Sequence, residues 1–233
     1  VEQLPRILAA IDSGKPLAAN WLRAAVDTIS ERALANRHEL PVDKLVAFIR
    51  DTSHDPQARR LAFEWLRRVK PEQGARMIAG MLQDPSVELR REAVALRIES
   101  GKQLESNGQL PAAISAYQEG LSGARDEDQV KELAKRLRDL DQKLDLPKHF
   151  GFIQKWKLIG PFDNSNQVGL DNVYPPEIAV DLQGEYAGKD ARATWHEFQG
   201  EDDFGMIDMN KTFGKLKEVT GYAWTEFYSD RQQ

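Results

Sequence analysis

The sequence predicts a multidomain α plus β chain: an α-solenoid of helical hairpins followed by a partial antiparallel β-sandwich. Three observations predict it. Before Trp156 the apolar residues recur at helical spacing, and after it they alternate or are interrupted by Gly and Pro. An Asp-Pro…Arg-Arg pattern occurs twice in the helical part, as expected of stacked repeats. The charge divides at the same place: residues 1–146 carry 23 Lys/Arg and 23 Asp/Glu, residues 147–233 carry 9 and 14, so the net charge of −5 belongs to the second part.

In chain order, Asn20-Trp21-Leu22-Arg23-Ala24-Ala25-Val26 with Ile29 forms one helical stripe, and Leu45, Phe48 and Ile49 form another. Pro16 and Pro41 punctuate their starts. Residues 55–66 and 84–96 then share Asp-Pro, Arg-Arg and a small residue within an apolar stripe, offset by 29 residues at Asp55/Asp84 and 31 at Arg60/Arg91. Asp55 and Asp84 are expected to cap helix N-termini, with Pro56 and Pro85 at the first helical position, where a missing N–H costs nothing. Ala62 and Ala93 leave room for a neighbouring helix, and Trp21, Phe63 and Trp65 read as core filling. The pairs Arg59-Arg60 and Arg90-Arg91 read as partners for acids of the adjacent repeat, with an anion or partner site as the alternative. This pattern resembles HEAT repeats, which implies paired helices stacked into a solenoid over residues 1–99.

Residues 100–146 read as a further hairpin and a closing helix. Gly101, Leu104, Gly108, Ala113, Tyr117 and Gly120 fall at the small and aromatic positions of a tetratricopeptide repeat, which the segment resembles. Asn107-Gly108 supplies the turn between two helices, and Pro111 falls in the tolerated first turn of the second. Val130, Leu133, Leu137, Leu140 and Leu144 predict one amphipathic helix over Asp126–Leu144, a capping helix with a solvated outer face.

From residue 147 the pattern changes. Trp156 and Leu158 alternate with Lys155 and Lys157, and Gly160-Pro161 is expected to end that strand. Asp163 to Asn172 reads as a polar loop and Tyr174-Pro175-Pro176 as a stiff extended segment. Ile178, Val180 and Leu182 predict a strand, as do residues 193–198 and 219–228. The run Trp156-Lys157-Leu158-Ile159-Gly160-Pro161-Phe162-Asp163-Asn164, followed by Tyr174-Pro175-Pro176-Glu177 and later Gly221-Tyr222-Ala223, resembles the opening of a galactose-binding-like jelly-roll module. Such modules follow HEAT or tetratricopeptide arrays in large multidomain bacterial proteins, and there a further block with a Trp-x-Asn-Gly turn comes next. The resemblance therefore implies a truncated sandwich over residues 147–233 and favours a periplasmic or cell-envelope location. The chain has no initiator Met and ends in Ser229-Asp230-Arg231-Gln232-Gln233 directly after a strand pattern, which reads as a piece of a longer protein.

Composition narrows the chemistry. With 41% hydrophobic and 30% charged residues the chain reads as globular, and no apolar run approaches the ~20 residues of a membrane span. The absence of cysteine excludes disulfides and thiolate chemistry within these residues. An acidic β part makes nucleic acid an unsuitable partner, since phosphate binding needs a concentrated basic face. His38, His54, His149 and His196 lack metal-ligand spacing, and no phosphate-cradling or nucleophile-elbow motif occurs, so neither metal, cofactor nor catalytic residue is expected. Asp163, Asn164, Asn166 and Asp171 offer oxygen ligands for calcium, but a turn capping its own backbone explains them more simply. Glu177 with Glu201-Asp202-Asp203 suggests a glycosidase pair, for which a solvated loop is the simpler account. Trp156, Trp195 and Trp224 suggest a sugar platform, although alternating strand residues of this kind fill cores. The expected function is non-catalytic: a scaffold with a protein or peptide partner on the helices. The alternative is a carbohydrate-binding accessory region of a larger envelope or secreted enzyme. Asp163, Asn164, Tyr174, Glu177 and Trp195 are the candidate ligand-binding residues.

Overall fold

The computed structural model describes residues 1–229, and of Leu170 the backbone alone; residues 230–233, at the end of the expected terminal strand, lie outside the described residues. The architecture is mixed, helical first and then an antiparallel sheet. The chain divides into two compact units, Val1–Leu144 and a second that starts at Asp145. Among the described residues no helix is long and apolar enough to cross a membrane.

The first unit comprises α1 (Leu4–Ala9), α2 (Pro16–Ala35), α3 (Val42–Arg50), α4 (Pro56–Val69), α5 (Pro71–Ile78), α6 (Val87–Ser106), α7 (Leu110–Gly123) and α8 (Glu127–Asp139). α1 packs on α2, α3 on α4, and each helix from α4 to α7 on the one after it; in addition α2 packs on α4, α4 on α6 and α6 on α8, so the even-numbered helices share one layer. The core follows the apolar spacing. Leu45, Phe48 and Ile49 of α3 meet Leu61, Ala62, Phe63 and Leu66 of α4 and Leu89 and Ala93 of α6, all buried. Each large side chain so buried contributes about 1.5–3 kcal/mol.

The helix starts divide the two repeat copies. Asp55 caps α4 as expected, its Oδ1 accepting from the Gln57 and Ala58 amides at 2.8 and 3.2 Å. Asp84 does not cap α6. Ser86 is the N-cap there, accepting from the Leu89 amide, and Pro85 precedes the helix instead of opening it. The Asp84 carboxylate is engaged elsewhere: Arg59 donates to both its oxygens at 2.9 and 2.7 Å, and Arg59 Nε donates to the Ile49 carbonyl at 2.8 Å. Arg59 is the largest fully buried side chain of the described chain, tying α4 to the end of α3 and the entrance to α6. Trp21 is also a correction. Its ring is 72% exposed, with Leu17 one turn away on the same outward face, while Phe63 and Trp65 are buried as expected.

α6 runs uninterrupted past residue 99, because its stripe Ala93, Val94, Ile98 and Gly101 stays in register and nothing caps it before Asn107. The turn to α7 lies at Asn107-Gly108, with Gly108 at φ +72°, a left-handed conformation that glycine takes without strain. At Gly101 an added Cβ would lie 2.3 Å from the Tyr117 ring, so the buried tyrosine packs where only a hydrogen fits. α8 ends at Asp139, earlier than expected: Leu140 caps it and Asp141 turns to φ +59°, leaving Leu144 outside.

The second unit contains α9 (Leu146–Phe150), β1 (Lys155–Asp163), a 3-10 turn (Ser165–Leu170), α10 (Pro175–Ile178), β2 (Tyr186–Ala187), β3 (Arg192–Gln199), α11 (Asn210–Phe213) and β4 (Val219–Trp224). The four strands form one antiparallel sheet in the order β2-β3-β1-β4. β1 is central, with Ile159 opposite Trp195 of β3 and Tyr222 of β4. Ile159, Phe162, Tyr174 and Ala193 form a buried cluster, with Tyr186, Trp195 and Tyr222 packed against it.

Three expectations change here. Gly160-Pro161 does not end β1; the strand passes through this cis peptide to Asp163, and the register against β4 shifts between Ile159 and Phe162. A bulge is where a sheet accommodates a residue without an N–H. Residues 178–182 are not a strand, since Ile178 and Val180 are 77% and 46% exposed and the two prolines before them open α10 instead. Phe227 and Tyr228 lie beyond β4, whose pairing ends at Trp224 opposite Lys157.

Candidate functional sites

Four of the five candidate residues come together where the loop after β1 folds back on the sheet. Tyr174 is buried, its ring 5.3 Å from Phe162 and 6.2 Å from Tyr222. Its hydroxyl donates to the Asp163 carbonyl at 2.6 Å. Glu177, one turn into α10, accepts from the Tyr174 amide at 3.3 Å and from the Tyr222 hydroxyl. Burial and that carboxylate raise the Tyr222 phenol well above its ordinary value. Asp163 Oδ1 accepts from the Ser165 hydroxyl at 2.6 Å and amide at 3.0 Å, and these bonds lower the carboxyl below the usual aspartate value. Asn164 accepts from the Gly169 amide at 2.7 Å and donates its own amide to the Glu218 carbonyl at 2.9 Å.

Each of these polar groups thus holds the 163–178 loop to itself or to the sheet. Trp195, the fifth residue, stands on β3. Its indole N–H donates to the Asp181 carbonyl at 2.8 Å and its ring packs against the same aromatic cluster. Lys189 also belongs to this arrangement, its Nζ donating to the Lys217 and Glu218 carbonyls at 3.0 Å each. No local pattern points to it, because its partners lie 28 and 29 residues away. Asn166 and Asp171, the further oxygen donors, lie in or beside the 3-10 turn, where Asn166 and Gln167 both take φ +60°. Among the described residues no group of three His, Asp or Glu side chains is placed to hold a metal ion.

The first unit carries a different feature, a groove of about 490 Å³ along the layer of even-numbered helices. Its walls are a ladder of ion pairs between successive helices. Arg23 of α2 meets Glu64 of α4 at 3.2 Å; Arg60 of α4 meets Glu64 at 3.0 Å and also Glu92 of α6, which Arg67 shares. Arg91 of α6 meets Asp128 of α8 at 2.5 Å and Asp126 at 3.4 Å. Asp128 is held at about 2 by Arg91, and the arginine is raised in turn. Arg59, Arg60 and Arg91 therefore meet acids further along the chain, as expected, whereas Arg90 donates to the Asp84 carbonyl at 2.8 Å.

Two residues in this groove were not singled out by the sequence. Glu88, Arg91, Glu92 and Ala95 share one face of α6, and Ala95 leaves an open floor. Glu88 is exposed and makes no hydrogen bond or ion pair among the described residues. Gln129 of α8 lines the same groove but is only 6% exposed; its amide donates to the Arg91 carbonyl at 2.8 Å, and its Oε1 accepts from no group. The arginine pairs alone mark acids of the adjacent repeat as partners, but which acid stays unpaired depends on the helix packing.

Comparison of the chain with protein families, with curated proteins and with solved structures finds no match.

Proposed function

We propose that this chain is a non-catalytic interaction scaffold whose first unit binds a protein or peptide segment along the layer formed by α2, α4, α6 and α8. In this reading the helices form a HEAT- and tetratricopeptide-like solenoid, and the sheet of the second unit is one layer of a jelly-roll-type sandwich. The single observation that carries it is the groove: four successive even-numbered helices contribute to one open, polar channel, whose ion pairs fix its walls. A rigid channel lined by alternating charge lowers the ordering cost of binding an extended segment and selects its register. The side chains of the loop knot in the second unit, by contrast, bond to one another and to their own backbone, which is the behaviour of a structural element.

Selection of a random peptide library on the immobilised full chain tests the proposal. Enriched peptides are expected to lose binding when Ala95→Trp fills the groove floor, and to keep it when Trp21→Ala alters the outward face of α2. No enrichment, or enrichment indifferent to Ala95→Trp, would overturn it.

A further inference from the structure

We infer that β4 pairs antiparallel with β4 of a second copy of this chain, each copy seating Phe227 in a cavity beside the other's strand. The sheet order places β4 at an edge. Its backbone is available there. The Asn164 amide donates to the Glu218 carbonyl at 2.9 Å, so that carbonyl faces β1 and the Val219 N–H, on the opposite side of the same planar peptide, faces away. Strand alternation then turns the N–H and C=O groups of Val219, Gly221 and Ala223 outward. Edge strands are ordinarily shielded by being short or by carrying charge or proline. β2, at the other edge, has two residues. β4 has six, Val-Thr-Gly-Tyr-Ala-Trp, none of them charged and none proline.

The surroundings of this edge complement themselves. A cavity of about 200 Å³, lined by Met209, Phe213, Leu216, Val219 and Gly221 among others, lies beside the strand. An apolar cavity of ~150 Å³ holds a benzene ring. Thr225 stays beside β1 through its hydroxyl bond to the Lys155 carbonyl at 2.9 Å, and just beyond it Phe227 and Tyr228 are 66% and 89% exposed. In a two-fold pairing centred on Gly221, Val219 lies opposite Ala223, and Glu226 and Phe227 of one copy come alongside Leu216 and Lys215 of the other. By the two-residue alternation Phe227 falls on the same side as Val219 and Gly221, the side of the cavity. Glu226 comes between Lys215 and Lys217, and none of these three side chains makes an ion pair among the described residues. Each copy thus brings the ring and the carboxylate that the other's edge lacks.

Sedimentation equilibrium of the full chain tests this and should show monomers in exchange with dimers. Ala223→Pro, which removes an outward N–H and leaves the bonds to β1, should abolish the dimer. Phe227→Ser should weaken it about a hundredfold, tenfold for each of the two rings. Trp21→Ser, on the exposed apolar face of α2, should leave it unchanged. Because the chain has no cysteine, Val219→Cys combined with Ala223→Cys reads the register directly. Mild oxidation should link two copies, since hydrogen-bonded cross-strand positions lie ~5.5 Å apart at Cα, within disulfide reach. That readout stands even where the proline variant misfolds. A chain that is monomeric at every concentration overturns the inference, as does a dimer without the cross-link, one that survives Ala223→Pro, or one lost in Trp21→Ser. A monomer whose library peptides bind in a way that Ala223→Pro abolishes has a different occupant at this edge, and the second-copy pairing falls with it.

Discussion

The two units solve the same problem, burying a core, by different means. The first repeats one device along the chain: an aliphatic stripe on each helix meets the next, and ion pairs run along the outside between α2, α4, α6 and α8. The second gathers the rings of Phe162, Tyr174 and Tyr222 into a small cluster, and its long connections are held by side chains that bond to distant backbone carbonyls, as Tyr174 does to Asp163 and Trp195 to Asp181. A repetitive core spreads stability over many similar contacts. A compact aromatic knot concentrates it in a few. The units should accordingly differ in how sharply a single polar deletion is felt, with one informative exception in the helical unit.

That exception is Arg59, and it gives the largest expected effect. Arg59→Ala leaves the Asp84 carboxylate buried without its bidentate partner and should destabilise the first unit by about 3–5 kcal/mol in urea denaturation followed by helical circular dichroism. The double replacement Arg59→Met with Asp84→Ala should recover much of that loss, since no charge is then stranded. A single-variant cost below about 1 kcal/mol would place Arg59 with the outer ion pairs, which contribute little, and remove the exception.

In the second unit Tyr174→Ala should cost about 3 kcal/mol by deleting a buried ring that touches Phe162 and Tyr222. Tyr174→Phe, which keeps the ring, should cost about 1 kcal/mol through the lost bond to the Asp163 carbonyl. Hydrogen exchange resolved to β1 and the 163–178 loop reads both. If the phenylalanine variant loses as much as the alanine variant, polar tethering outweighs the aromatic cluster and the contrast between the units grows sharper.

The contrast also explains what could be read from the sequence. The apolar stripes of α3, α4, α6 and α7, the Gly108 turn and the close approach at Gly101 are local or periodic, so residue spacing exposed them. The Asp-Pro repeat misled at its second copy because Asp84 answers to a buried arginine 25 residues earlier, a long-range demand that outweighs local capping preference. In the second unit Asp163, Asn164, Tyr174 and Glu177, singled out with Trp195 as candidate ligand-binding residues, lie together, yet nothing local indicated that Tyr222, 45 residues beyond Glu177, joins their network. The strand expected at residues 178–182 failed for a related reason: alternation there has no neighbouring strand, and two prolines set a helical start. Glu88 and Gln129 were missed because their distinction lies in what does not pair with them.

A pH comparison separates the interior of the first unit from its surface, with smaller effects. Tyr117 donates to Glu105 at 2.7 Å, and burial first, then that carboxylate, push its phenol up to about 12. The folded state thus keeps a proton that the unfolded chain releases near pH 10. The sign is fixed: this contribution is complete below pH 10 and disappears as pH rises through 12, a loss of about 2 kcal/mol that Tyr117→Phe should not show. The Arg91–Asp128 pair on the outside works in the opposite direction. Its carboxyl, held at about 2, titrates below the unfolded aspartate near 3.9, so its contribution is present above pH 4 and fades as pH falls through 2. Because the pair is open to solvent and screened by salt, Asp128→Asn should leave the midpoint of urea unfolding at neutral pH almost unmoved and flatten only the acid limb. A larger loss at neutral pH, surviving high salt, would show that the ladder along the groove is structural in the same sense as Arg59, and the division between an apolar interior and a decorative charged surface would fail for this unit.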